Sequence, residues 1–124
     1  MDAVRILLVD DSSAQRHILR HRMEGHPELV VVGEAGGGRE AVVRFSELRP
    51  DVVLLDLVMP DMGGEEVLSA ILAMDPGANV IIVSSLGTRD AVERCLRGGA
   101  RSFLQKPFEV EDLLRTLDSV LSHT

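Results

Sequence analysis

Tryptophan and tyrosine are missing from these 124 residues, and phenylalanine occurs only three times. A core with so few rings must be filled by aliphatic side chains. Cysteine is also scarce: Cys95 stands alone, so no internal disulfide can form and a reducing cytoplasm is the natural compartment. Positive charge is in short supply, with 13 basic against 20 acidic residues and a formal charge of -7. Such a balance repels nucleic acid and anionic membranes, so neither is an expected partner. No basic-then-apolar segment follows Met1 and no apolar run approaches the roughly 18 residues of a membrane span, so a soluble, cytoplasmic protein is expected. Internal repeats and low-complexity linkers are absent as well, and the length suits one domain that buries about two-thirds of its unfolded surface.

What is present is a regular alternation. Val4 to Val9 reads as a buried strand ending in Asp10-Asp11. Ser12 and Gln15 resemble a capping box that opens a helix to about Met23, broken at Gly25-His26-Pro27. Leu29 to Val32 predicts a second strand. Gly36-Gly37-Gly38 then makes a turn, without the Lys-Ser/Thr spacing of a phosphate-cradling loop, into a helix with Ala41, Phe45 and Leu48 on one face. The run from Val52 to Leu55 predicts a third strand, buried on both faces, that reaches a carboxylate at Asp56 and exits at Pro60. Gly63-Gly64 admits a third helix with Val67, Ile71 and Met74 inward, stopping at Pro76-Gly77. Val80 to Val83 is a fourth strand ending in Ser84-Ser85. Thr88 caps a fourth helix whose Ala91, Val92, Cys95 and Leu96 face inward and which ends at Gly98-Gly99. Ser102 to Gln105 is a short fifth strand ending in Lys106-Pro107, and Val110, Leu113, Leu114, Leu117, Val120 and Leu121 stripe a last helix. Five strands alternating with five helices through short connections imply a doubly wound α/β domain with an open parallel sheet.

In such a sheet the carboxyl ends of the strands share one crevice. This chain puts Asp10 and Asp11 there from the first strand, Asp56 from the third, Ser84 from the fourth and Lys106 from the fifth. An ionised Asp56 inside the sheet would cost several kcal/mol, so it belongs at this open edge. Three carboxylates about 5 Å apart repel by roughly 3 kcal/mol per pair at an effective dielectric near 20, so the group calls for a cation. Oxygen donors with room for water suit Mg²⁺. A phosphoryl group on Asp56 would want a compact positive charge and a hydroxyl donor, which Lys106 and Ser84 supply. Lys106 is the sole lysine among twelve arginines, which suggests a place where a small ammonium serves and a planar guanidinium does not.

Asp10-Asp11, then Leu54-Leu55-Asp56-Leu57-Val58-Met59-Pro60-Asp61-Met62-Gly63-Gly64, then Ser84-Ser85, then Gly99-Ala100-Arg101-Ser102-Phe103-Leu104-Gln105-Lys106-Pro107-Phe108, in this order and spacing, resembles the receiver domain of two-component response regulators over essentially residues 1–124. The resemblance implies a flavodoxin-like sheet of strand order 2-1-3-4-5. It implies that Asp56 is the phosphoacceptor, that Asp11, Asp56 and the Val58 carbonyl hold Mg²⁺ with Asp10 helping through water, and that Ser84 and Lys106 bind phosphoryl oxygens. Phe103 would be the switch aromatic and Lys106-Pro107 a cis peptide. The implied partners are a histidine kinase or histidine phosphotransfer protein, and a target protein met through the face of the fourth helix, fifth strand and fifth helix, or an output domain not present in this chain. The implied assembly is a monomer or a phosphorylation-dependent dimer. Arg94, Arg97 and Arg101 lie near that output face by sequence and would favour acidic contacts. Ser84 stands where Thr is more usual, Ser85 where a small apolar residue is, and Phe103 where Tyr is frequent; Ser84-Ser85-Leu86-Gly87 is reminiscent of receivers attached to chemotaxis methylesterases. The resemblance further implies that Val58 and Leu86, two residues beyond Asp56 and Ser84, would flank the approach of a hydrolytic water; apolar side chains cannot orient it, so a long-lived phosphoryl group is expected.

Two other readings compete. A phosphohydrolase of the haloacid dehalogenase type also uses a strand-end Asp and Mg²⁺, but wants an acid two residues after it, where this chain has Val58. A receiver that no longer uses phosphate would have no need of Asp10, Asp11, Asp56, Ser84 and Lys106 together. The expectation is therefore a phosphoacceptor switch that assists its own phosphotransfer and dephosphorylation, not an enzyme acting on other substrates.

Overall fold

Strands and helices alternate through the computed structural model, which describes residues 2–85 and 89–122. They are β1 (Val4–Val9), α1 (Ser13–Met23), β2 (Leu29–Ala35), α2 (Gly38–Leu48), β3 (Val52–Asp56), α3 (Gly64–Met74), β4 (Val80–Ser84), α4 (Arg89–Arg97), β5 (Ser102–Gln105) and α5 (Val110–Leu121). The sheet is parallel throughout, in the order β2-β1-β3-β4-β5. The chain thus winds outward from β1 in one direction, then from β3 in the other, and the carboxyl ends of β1 and β3 lie side by side at the point of reversal.

Because side chains alternate along a strand, each apolar run feeds two cores. Ile6, Leu8, Val52, Leu54, Ile81 and Val83 face one layer, where Met23 of α1 and Leu113, Leu117 and Val120 of α5 cover them. Leu7, Val9, Val53, Leu55, Val80 and Ile82 face the other, against Phe45 of α2, Val67 and Ile71 of α3, and Val92 and Cys95 of α4. Strands buried on both faces must be apolar at every position, and β3 and β4 are so up to their last residues, Asp56 and Ser84.

Several sequence expectations change here. β2 continues past Val32 to Ala35, because Gly33, Glu34 and Ala35 pair with Leu7, Leu8 and Val9 across a register shift between Ile6 and Leu7. The expected capping box on α1 is half formed: Ser12 accepts from Gln15 N at 3.2 Å, but Ser12 N donates to Asp10 Oδ1 at 2.9 Å rather than to Gln15. Leu96 points out of the core at 37% exposure, so only Val92 and Cys95 of the expected α4 stripe are fully buried, with Ala91 packed at the margin. Thr88, the expected α4 cap, lies outside the described residues. The helix ends at Gly98-Gly99, where Gly99 takes φ +116°, a conformation natural to glycine.

Candidate active site at the carboxyl edge of the sheet

Asp10, Asp11, Asp56, Ser84 and Lys106, the five residues singled out above, meet at the carboxyl edge. Asp10, the first residue past β1, is 5% exposed, and β3 delivers Asp56 beside it. Lys106 follows β5 and reaches back with its Nζ, donating to Asp10 Oδ2 at 2.8 Å and to Asp56 Oδ2 at 3.1 Å. One ammonium joins two carboxylates through separate N–H bonds, a task for a point charge on a flexible stem. Asp11 is exposed, and one oxygen from each of Asp10, Asp11 and Asp56 lies within 4.8 Å of the others. Ser84 is 4% exposed at the end of β4, one residue beyond Val83, the partner of Asp56 in the ladder. Its carbonyl accepts from Lys106 N at 2.7 Å, which ties the end of β4 to the base of the lysine, and the Lys106-Pro107 peptide is cis as expected. Val58 N donates to Asp56 Oδ1 at 3.1 Å, while the Val58 side chain stands 65% exposed beside the site. Leu86, its expected companion, lies outside the described residues.

The charges explain the titration behaviour. Burial pushes the Asp56 carboxyl above its ordinary range; the hydrogen bond from Val58 N and the ammonium of Lys106 pull the other way without cancelling it, and the neighbouring Asp10 adds to the rise. For Lys106, burial pulls down, but its hydrogen bonds to Asp10 and Asp56 outweigh that and leave the ammonium above its usual range. Since Asp56 is harder to ionise in the fold than in the unfolded chain, the folded protein retains a proton that the unfolded chain has lost, and stability falls as pH rises from the ordinary carboxylate range through the raised value. Asp56→Asn removes this penalty. At neutral pH, without metal, the variant is expected to melt at a higher temperature than the native protein, with a shallower decline above acid pH. Calorimetry across pH checks it, and an unchanged or lowered melting temperature would count against a burial penalty on the ionised Asp56 carboxyl.

Three carboxylates against one ammonium leave the edge short of positive charge. Hard oxygen donors at this spacing fit Mg²⁺, whose opposite ligands lie about 4.2 Å apart, and exposed Asp11 leaves room for the waters that ion keeps.

Two supports escaped the sequence reading. Arg16 of α1 donates from its Nη1 to the Asp10 carbonyl and from its Nε to Glu34 Oε1 at 3.1 Å, bracing the loop that carries Asp10-Asp11 against β2. Asp61 accepts from Gly38 N at 2.9 Å and Arg39 N at 3.3 Å, and these backbone bonds hold its carboxyl below the usual range. The triple-glycine turn does open a helix that binds an anion at its N-terminus, but the anion is the protein's own Asp61, and the bond anchors the loop leaving Asp56. An acid five residues beyond Asp56 was legible; its partner 23 residues upstream was not.

The family model for the response regulator receiver domain matches residues 6–118. This chain belongs to that family. The receiver is 37% identical over 115 residues to the chemotaxis protein CheY of Listeria monocytogenes, covering 93% of this chain and 96% of that one. It is also 40% identical over 121 residues to a protein-glutamate methylesterase/protein-glutamine glutaminase of Bacillus licheniformis, but spans only 34% of that protein's length. Among solved structures, the CheX-CheY-BeF3-Mg complex from Borrelia burgdorferi superposes with a TM-score of 0.89 at 33% identity, covering 97% of this chain and 90% of that one. The receiver is thus a CheY-like module of two-component signalling, a switch that in some relatives is joined to a separate enzymatic domain. Among the described residues no helix is long and apolar enough to cross a membrane.

Proposed function

We propose that residues 1–124 form one phosphorylation-dependent receiver, in which Asp56 takes a phosphoryl group from a histidine kinase or histidine phosphotransfer protein. The observation that carries this reading is the pair of hydrogen bonds that Lys106 Nζ donates to Asp10 and Asp56, beside a third carboxylate and a buried Ser84. Asp10, Asp11, Asp56 and the Val58 carbonyl would hold Mg²⁺. That ion supplies charge neutralisation, letting a carboxylate meet a phosphate. An Asp56 oxygen attacks phosphorus as the bond to the donor's nitrogen breaks, and the Lys106 ammonium and Ser84 hydroxyl turn to the phosphoryl oxygens. Borrelia CheY, with beryllofluoride and magnesium named in its complex, supports the same assignment here by likeness.

The test is mass spectrometry after treatment with a small phosphodonor. One phosphoryl group is expected, dependent on Mg²⁺ and absent in Asp56→Asn. Labelling that persists in the variant, or without metal, refutes the assignment. Followed after donor removal, the same signal should decay slowly, because Val58 offers the incoming water no hydrogen bond.

Output is proposed to pass through α4, β5 and α5 to a target protein. Phe103 of β5 is 45% exposed while Ser84 is buried, so drawing Ser84 toward phosphate frees space into which the ring can turn, a shift between two packings. Arg97 and Arg101 remain exposed near this face. Arg94 is removed from the expected set: it is paired to Glu65 of α3 at 2.9 and 3.2 Å, on the other side of α4. Adding beryllofluoride with Mg²⁺ should move amide resonances of β5 and α5 and bury Phe103, and Ser84→Ala should abolish those distant shifts while the shifts around Asp56 remain. Resonances of β5 and α5 that stay in place in the native protein would rule out this route.

A further inference from the structure

The acidic edge takes Asp10, Asp11, Asp56 and Lys106, and away from it α1 carries a pair of histidines on its outer surface. His17 and His21 are four residues apart and so lie on one face of the helix, one turn above the other. Their rings are stacked, with centroids 6.4 Å apart and planes 14° from parallel. Both residues are exposed, and neither belongs to either core. Glu24 continues the same stripe: its Oε2 lies 3.5 Å from Nδ1 of His21.

Two neutral imidazoles at this helical spacing are the arrangement by which a helix chelates one zinc ion through a pair of histidines. A carboxylate within reach of the Nδ1 of one of them would favour the tautomer that leaves Nε2 free for a metal, the supporting contact that histidine ligands of metals ordinarily have. The basic residues of α1 are engaged elsewhere. Arg16 and Arg20 pair with Glu34, and Arg22 donates to the Phe108 carbonyl, so none of them is directed at the histidine stripe. We propose that His17 and His21, with Glu24 behind His21, form a surface site for a divalent transition metal ion such as Zn²⁺, water completing its coordination. Nitrogen donors here and oxygen donors at the carboxyl edge would sort two kinds of ion onto one small domain, softer ions to α1 and Mg²⁺ to Asp56.

The site is tested by titrating the whole protein with Zn²⁺ in excess Mg²⁺, so that the acidic edge is occupied, reading heat and histidine ring resonances together. One Zn²⁺ is expected to bind, shifting the rings of His17 and His21 and leaving His26 in place. His17→Ala and His21→Ala should each weaken binding by roughly tenfold or more, and Glu24→Gln by about tenfold through loss of the supporting carboxylate. Unchanged circular dichroism would confirm that α1 is intact in each variant. Zinc binding of equal strength in the double variant His17→Ala/His21→Ala, or shifts confined to His26 or the acidic edge, overturns the proposal.

Discussion

Lys106→Met is expected to lower the melting temperature of the metal-free protein by about 8 °C, and Mg²⁺ is expected to restore most of that loss. Among the described residues the ammonium is the only cation hydrogen-bonded to the carboxylates of Asp10 and Asp56, and Asp10 is almost wholly buried. Removing one partner of a fully buried pair costs 3–5 kcal/mol, because a charge is left without compensation; at this partly open edge the expectation is about 2 kcal/mol. A divalent ion brought to the same carboxylates replaces the missing charge, so the variant's melting temperature should climb more steeply with Mg²⁺ than the native protein's. pH gives a second signature. Because Lys106 binds its proton more tightly in the fold, its contribution is complete below the ordinary lysine range and is lost as pH rises through its raised value. The alkaline fall in stability should therefore flatten in Lys106→Met. A variant that melts like the native protein, or one that Mg²⁺ does not rescue, would show that the ammonium does not hold this edge together.

The second large effect is expected from adding one methyl group. Gly63 and Gly64 are adjacent and equivalent in sequence, yet a Cβ on Gly63 would meet nothing within 4 Å, whereas on Gly64 it would sit 2.7 Å from the Leu57 Cα and 3.0 Å from the Asp56 carbonyl oxygen. Those are backbone atoms, so relief requires moving the end of β3 itself, and Gly64 N already bonds to the Leu57 carbonyl at 3.0 Å. Overpacking of this kind costs about 2 kcal/mol. Since the atoms displaced belong to Asp56 and its neighbour, Gly64→Ala should also slow phosphoryl uptake, while Gly63→Ala costs about 0.5 kcal/mol as a weakened helix cap and leaves uptake unchanged. Denaturant unfolding and timed phosphodonor labelling of the two variants decide the matter. Equal behaviour of the pair would mean that α3 can retreat from β3.

Why Gly64 and not Gly63 is the close approach could not be read from the chain, and the same holds wherever a residue's role depends on another element. β1 and β5 run between the very residues expected: β1 announces itself by five apolar residues of six before Asp10, whereas β5, with only Phe103 and Leu104 apolar, is bounded by the glycines before it and Lys106-Pro107 after it. The candidate site was legible from such contrasts: Asp10, Asp56 and Ser84 each close an apolar run, and Lys106 at the end of the fifth strand is the sole lysine. β2 was cut short because its last residues include Gly33 and Glu34, which belong to the strand only through pairing with β1. Arg94 was assigned to the wrong side of α4 since its partner, Glu65, is 29 residues away. Arg16 gave no signal beyond being one more arginine on a polar helix, and its work on the Asp10 carbonyl is visible only once α1 is folded against β1 and β2. The strand order and the cis peptide came from the family resemblance and agree with the structure.

Lys106 touches Asp10 across 96 residues and Asp56 across 50. No shorter piece of the chain can assemble that trio, since β5 adds to the sheet only beside β4, and β4 only beside β3. A polypeptide emerging from the ribosome would have offered Asp10, Asp11 and Asp56 to the solvent long before its one lysine was made, and would be mute toward a phosphodonor until the last strand docked. On the proposed function, phosphoryl uptake would thus report that β5 has docked beside β4, since a chain lacking Lys106 would have no ammonium beside Asp56.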